Sequence, residues 1–173
     1  MSKCIFLDRD GVLNEDRTDY VYRVEDFIIP TGVVEGLRLL KNAGYLLIVV
    51  TNQAGIARGL YSRNDVMRCH QYLQDQCGNL IDDIYYCPHH PDFDSQSLLR
   101  KPDSLMLEKA IAKYNIDVSQ SWMIGDAPRD IQAGQRVGVR TLHITHEIPE
   151  RPVGDQQAPN LLEASKMVVN AAC

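Results

Sequence analysis

Positive charge is scarce in this sequence, with 18 Lys and Arg against 23 Asp and Glu, a formal net charge of -5 and a pI near 5.5. Affinity for nucleic acid rests on clustered Lys and Arg, so this balance argues against a polyanion-binding surface and no nucleic-acid partner is expected. Long apolar runs are also missing. The first, Ile5-Phe6-Leu7, is too short for a signal peptide, and none approaches the roughly 20 residues of a membrane span. The expectation is a cytoplasmic chain with no membrane partner. Cysteine is sparse: Cys4, Cys69, Cys77, Cys87 and Cys173 are odd in number and scattered, which reads as free thiols rather than a disulfide framework. Repeats, linkers and low-complexity tracts are absent. What is present is ordinary globular composition, 45% hydrophobic and 24% charged over 173 residues, consistent with a single domain spanning 1–173. A chain of this size buries on the order of 70% of its unfolded surface. Its core needs no structural metal, so any metal would serve chemistry or pin a loop. A small-molecule substrate and a monomer are the expectation.

Apolar runs bounded by turn residues alternate with helical patterns along most of the chain, the signature of an α/β fold with a central parallel sheet flanked by helices. Strands are predicted at Lys3–Leu7, Tyr45–Val50, Asp83–Tyr86, Ser121–Ile124 and Arg140–Ile144, the second and fourth apolar enough to lie centrally. Thr31 is placed as the cap of a helix stopped by Gly44, and Ser62 as the cap of one reaching Cys77 and stopped by Gly78. Further helices are predicted from Ser104 and Pro128. Glu15–Pro30 and Cys87–Lys101 carry no periodic pattern and are long for connections in a compact domain, which makes them candidate functional flaps or, alternatively, tolerated surface insertions. Glu147–Pro159 reads as an irregular connection before a short C-terminal helix.

Chemistry-bearing residues gather where strands end. Asp8 and Asp10, in Asp8-Arg9-Asp10-Gly11, follow the first apolar run, where ligands of parallel sheets bind. Gly125-Asp126 follows the fourth strand, with Asp130 at a helix start; taken alone, Asp130 is what a helix dipole favours. Together Asp8, Asp10 and Asp126 would surround one hard divalent cation with oxygen ligands, which suits Mg²⁺. Thr51-Asn52-Gln53-Ala54-Gly55 follows the second strand and offers a hydroxyl and backbone N–H groups, although in isolation it also reads as a capped turn. Arg100-Lys101-Pro102 supplies a positive charge and a planar fork for phosphate or hydroxyls.

These four elements, in this order, resemble the haloacid dehalogenase (HAD) superfamily of aspartate-nucleophile phosphatases, from Lys3 to about Ile144. The resemblance implies a Rossmann-like fold in which Asp8 attacks phosphorus, Asp10 acts as acid and base, and Thr51 and Lys101 stabilise the transferring group. It also implies Mg²⁺ held by Asp8, the Asp10 carbonyl and Asp126, with Asp130 orienting from behind or bonding Lys101. Neither irregular stretch is long enough to form a separate cap domain. The runs Phe6 to Asn14, Thr51 to Gly59, Tyr85 to Pro91 and Arg100 to Pro102 further resemble the D-glycero-D-manno-heptose 1,7-bisphosphate and histidinol-phosphate phosphatases. That resemblance implies removal of the 7-phosphate during synthesis of nucleotide-activated heptose for lipopolysaccharide or other surface glycans. Histidinol phosphate is the alternative substrate. A sugar-phosphate-binding protein without activity is the alternative of another class, disfavoured by the complete set of Asp8, Asp10, Thr51, Lys101 and Asp126. On this resemblance Arg9, Asp16, Tyr20, Asn52, Gln53 and Arg100 contact the substrate.

Two departures stand out. The subfamily pattern binds zinc through Cys-x-His and a later Cys-x-Cys before Arg-Lys-Pro; here Cys87 and His89 stand in the first half, but the second reads Ser97-Leu98-Leu99. Half a site binds zinc poorly, so no structural zinc is expected, and the Cys87–Leu99 loop, without that pin, should be more mobile and held instead by packing of Leu98 and Leu99. Asp103-Ser104-Leu105 replaces the usual glycine before Met. His70 and His143 are expected to be structural or surface residues, and Cys69 and Cys77 to lie on a helix face.

Overall fold

The computed structural model describes residues 1–146 and 152–171. Strands β1 (Cys4–Leu7), β2 (Leu46–Asn52), β3 (Asp83–Cys87), β4 (Trp122–Gly125), β5 (Arg140–Ile144) and β6 (Gln156–Ala158) alternate with helices α1 (Val33–Asn42), α2 (Arg63–Cys77), α3 (Leu105–Tyr114), α4 (Pro128–Val137) and α5 (Leu161–Ala171). All strands pair in parallel, in the order β3-β2-β1-β4-β5-β6. Strand order reverses between β1 and β4, so the connections leaving their carboxyl ends diverge and open a crevice there.

Side chains alternate across a sheet, and here both faces are covered, which is why the strands read as continuous apolar runs. Ile5, Leu7, Leu47 and Val49 join a core with Leu37, Leu73 and Val168 from α1, α2 and α5. Cys4, Phe6, Ile48 and Val50 join another with Met106, Ala110 and Ala133 from α3 and α4. As expected, β2 and β4 are central, and they flank β1. Among the described residues no helix is long and apolar enough to cross a membrane.

The helix boundaries follow local chemistry. Ser62 and Asp65 form a capping box at α2, and Gly78 closes the helix in the left-handed region. At α1 the cap residue is Gly32, at φ 91°, rather than Thr31. Gln156–Ala158, inside the stretch expected to be irregular, forms the edge strand β6 on β5. Its polar sequence hides it; Asp155 fixes its approach by accepting hydrogen bonds from the Thr141 N–H and hydroxyl at 2.8 Å each. Residues 147–151 of that stretch lie outside the described residues. The flap Glu15–Pro30 contains a 3-10 turn at Val24–Asp26 and is seated by buried Val21 and Phe27. After Cys87 the chain stays irregular to α3. Leu99 packs on the core there, but Leu98 is 67% exposed and does not hold the loop.

Candidate active site

Asp8 is the first residue beyond β1, and its N–H donates to the Ile124 carbonyl at 3.0 Å, so pairing with β4 fixes its backbone. Its carboxylate is buried. Oδ1 meets Lys101 Nζ at 2.8 Å and accepts from the Arg9 N–H at 2.8 Å. Lys101 is itself wholly buried; its ammonium donates to the Val50 carbonyl at 2.6 Å and pairs with Asp8 Oδ1 and with Asp130 Oδ1, the latter at 2.7 Å. Burial works against the ammonium charge, but Asp130 and Asp8 outweigh it and raise the Lys101 pKa, so it stays a cation.

The acidic side of the site is crowded. Carboxylate oxygens of Asp8, Asp126 and Asp130 lie within 4.8 Å of one another. Burial, then Asp130, pushes the Asp8 pKa upward despite Lys101, and burial, then Asp130 and Asp16, pushes Asp126 up to about 6. Such shifts mark carboxylates that need positive charge beyond what the protein supplies. Among the described residues Asp126 Oδ1 is buried with no hydrogen-bond partner, an orphan acceptor on a carboxylate of the cluster. Gly11, at φ 84°, makes room for this side chain: a Cβ there would fall 2.0 Å from Asp126 Oδ2. His143 Nε2 bonds the Asp126 carbonyl at 2.9 Å from β5. An oxygen-only donor set with an orphan acceptor fits a hard divalent cation such as Mg²⁺. Asp130 divides its oxygens between Lys101 and the Ala127 N–H, which it caps at 3.1 Å.

Asp10 is anchored separately. Its Oδ1 accepts from Arg9 Nε at 3.2 Å, Arg9 Nη2 at 2.6 Å and Asn14 Nδ2 at 3.0 Å, while Oδ2 accepts from Gln53 Nε2 at 3.1 Å. The same Gln53 amide donates to Thr51 Oγ1 at 3.0 Å, at the end of β2.

Of the six residues expected on the substrate, three have side chains engaged with protein partners. Arg9 is fully buried, lies over Phe27 and donates to the Val21 carbonyl as well as Asp10. Asn52 clasps the Lys101 backbone, and Gln53 is buried among Asp10, Thr51 and Tyr61. Polar groups at strand ends take the nearest carboxylate or backbone partner because an unpaired buried group is costly. Asp16 is exposed, and Tyr20 and Arg100 are half-buried. Asp16 borders a cleft with Gly11, Asn14, Asp126 and His146, and Arg100 lines a cavity of about 490 Å³ with Gln96, Ser97 and Lys101. The Tyr20 hydroxyl accepts from Arg58 Nη1 at 3.0 Å. Arg58 also lies over the Phe93 ring at 5.0 Å, so it bridges the two irregular loops. Asn14, Arg58 and Tyr61 escape the sequence reading, whereas His143, expected to be structural or on the surface, is buried and bonds a backbone carbonyl. For Asn14 and Arg58 the signal was their place inside the motif-bearing runs; for Tyr61 there was none.

Cys87 is buried with Sγ 3.8 Å from the His89 carbonyl, and His89 Nδ1 lies 2.7 Å from Asp94 Oδ2. Asp94 Oδ1 accepts from the His90 and Ser95 N–H groups at 2.8 and 2.7 Å, so this carboxylate organises the turn of the loop.

A family model described as HAD-hydrolase-like matches residues 98–164. A curated protein from Haemophilus ducreyi, D-glycero-beta-D-manno-heptose-1,7-bisphosphate 7-phosphatase, is 42% identical over 147 residues, covering 80% of each chain. The chain belongs to the heptose-1,7-bisphosphate 7-phosphatase family of HAD-type phosphatases. Another family member, the alpha-heptose enzyme of Photorhabdus laumondii, is 37% identical over 180 residues and 96% of each chain. The D,D-heptose 1,7-bisphosphate phosphatase of B. bronchiseptica, solved with magnesium and phosphate, superposes with a TM-score of 0.88 at 27% identity, covering 98% of this chain and 99% of that one. The fold is thus that of a phosphatase family whose members are named for both anomers.

Proposed function

We propose that this protein is a magnesium-dependent, cytoplasmic phosphatase that removes the 7-phosphate of D-glycero-D-manno-heptose 1,7-bisphosphate on the way to nucleotide-activated heptose. The observation that carries the reading is the buried Lys101 ammonium fixed between Asp8 and Asp130 beside three converging carboxylates. A nucleophile, a phosphate-neutralising cation and a metal cradle meet at one point, in a chain whose relatives bear this name.

Asp8 attacks phosphorus while the bond to the C7 oxygen breaks, giving an aspartyl phosphate. Asp10 gives its proton to the departing alkoxide, then takes one from the water that attacks the aspartyl phosphate, which releases phosphate and restores Asp8. Lys101 and Thr51 stabilise the charge of the transferring group. Asp8, Asp126 and the Asp10 carbonyl would hold Mg²⁺, which supplies charge neutralisation when bound. Asp130 keeps Lys101 aimed. Asp16, Tyr20 and Arg100 contact the sugar and its second phosphate. The second half of the zinc pattern is missing, and Asp94 takes over the loop, so no structural zinc is needed.

The test is a comparison of kcat/KM, with and without Mg²⁺, for both heptose bisphosphate anomers, histidinol phosphate and simple sugar phosphates. The reading requires a preference of at least about 100-fold for a heptose bisphosphate. A preference for histidinol phosphate would overturn the substrate, and no turnover of any ester would overturn the enzyme.

A further inference from the structure

Tyr61 sits in the loop before α2, eight positions from Gln53, and is buried. Its ring stacks on Tyr22 at 5.0 Å and meets Tyr20 edge-on at 5.9 Å. It also fills the space above Gly55, where an added Cβ would fall 1.9 Å from the ring. The ring therefore has one seat. From it the hydroxyl donates to Gln53 Oε1 at 2.8 Å, and burial, opposed weakly by Arg9, raises its pKa, so the proton stays on the hydroxyl.

An amide side chain has two orientations of almost equal shape, and only its partners choose between them. Here the Tyr61 hydroxyl holds the carbonyl end, which turns the NH₂ end toward both Asp10 Oδ2 and Thr51 Oγ1. Oδ1 of Asp10 is already tied by Arg9 and Asn14, so Gln53 sets where the second oxygen points.

We propose that Tyr61 is a positioning residue for Asp10, acting through the Gln53 amide to aim Oδ2 as the atom that carries the proton to the leaving oxygen. The inference rests on the acid–base role proposed above for Asp10. It requires that the phosphorus–oxygen bond break with proton transfer from Asp10 Oδ2 when the leaving group is an alkoxide, and without it when the group leaves readily as an anion.

Tyr61→Phe keeps the stacked ring and removes only the hydroxyl. In single turnovers it should slow release of the alcohol from an alkyl phosphate by about 10-fold or more, and release of p-nitrophenolate from p-nitrophenyl phosphate by less than about twofold. Gln53→Met, which fills the same space without the amide, also frees Thr51 and so slows both leaving groups, but it should slow the alkyl ester by about 10-fold more than p-nitrophenyl phosphate, which keeps the test open if Tyr61→Phe does not fold. Equal losses on both leaving groups, or no loss on either, would overturn the proposal. The comparison is made with whichever alkyl phosphate the wild type hydrolyses best, so failure on heptose bisphosphate alone would remove the substrate assignment and leave the Tyr61 result standing.

Discussion

Asn52 and Lys101 clasp one another: the Asn52 amide donates from Nδ2 to the Lys101 carbonyl at 3.0 Å and accepts the Lys101 N–H on Oδ1 at 3.0 Å. The clasp bolts the loop before α3 to the end of β2 and delivers the Lys101 side chain to Asp8. Asn52→Leu leaves two backbone groups in want of partners, at a cost of about 1–3 kcal/mol. Urea unfolding should show that loss, and kcat should fall with it because Lys101 loses its aim. Unchanged stability and kcat would make the clasp incidental.

Lys101 neutralises carboxylates that are buried beside each other. Lys101→Met removes one member of a buried ionic cluster, which costs about 3–5 kcal/mol of stability, and should lower kcat by about 100-fold or more. Chemical denaturation and steady-state kinetics check the two effects separately.

His70, packed edge-on to Tyr86, has its pKa lowered to about 3 from 6.5, mainly by burial and then by Arg9. The folded protein keeps the ring neutral while the unfolded chain protonates it, so stability is full above 6.5 and falls as pH drops toward 3. The slope is about 1.4 kcal/mol per pH unit, or about 2 kcal/mol lost by about pH 5. His70→Phe should remove this share of the pH dependence in denaturation curves taken at about pH 7.5 and about pH 5.

Asp94 organises the loop where the subfamily pattern expects a metal. Asp94→Ala should raise KM by about fivefold and leave kcat nearly unchanged, the pattern of lost binding rather than lost chemistry. Elemental analysis should find less than about 0.1 zinc per chain in wild type and variant alike. Stoichiometric zinc would reverse the account of this loop.

Much of this was legible in the sequence because buried parallel strands announce themselves. Cys4–Leu7, Leu46–Val50 and Trp122–Ile124 are apolar on both faces, and whatever polar residue follows such a run must emerge at the sheet edge where ligands sit. Asp8, Thr51 and Asp126 could be placed by that logic alone. Arg9, Asn52 and Gln53 could not. A polar side chain at a strand end looks the same in one dimension whether it turns to a ligand or to a neighbouring carboxylate, and only the fold brings Gln53 to Asp10 or Asn52 to Lys101. His143 reaches Asp126 from another strand, which no local pattern reveals. The strand Gln156–Ala158 was missed because its pairing comes from position beside β5 and not from apolar or branched side chains.

The most direct test of the account is phosphorus NMR of heptose 1,7-bisphosphate incubated with Mg²⁺ and either the wild type or Asp8→Asn. With the wild type, the C7 phosphate should disappear into inorganic phosphate while the C1 phosphate persists; with Asp8→Asn, both should remain. Release from C1, or continued release by Asp8→Asn, would contradict it.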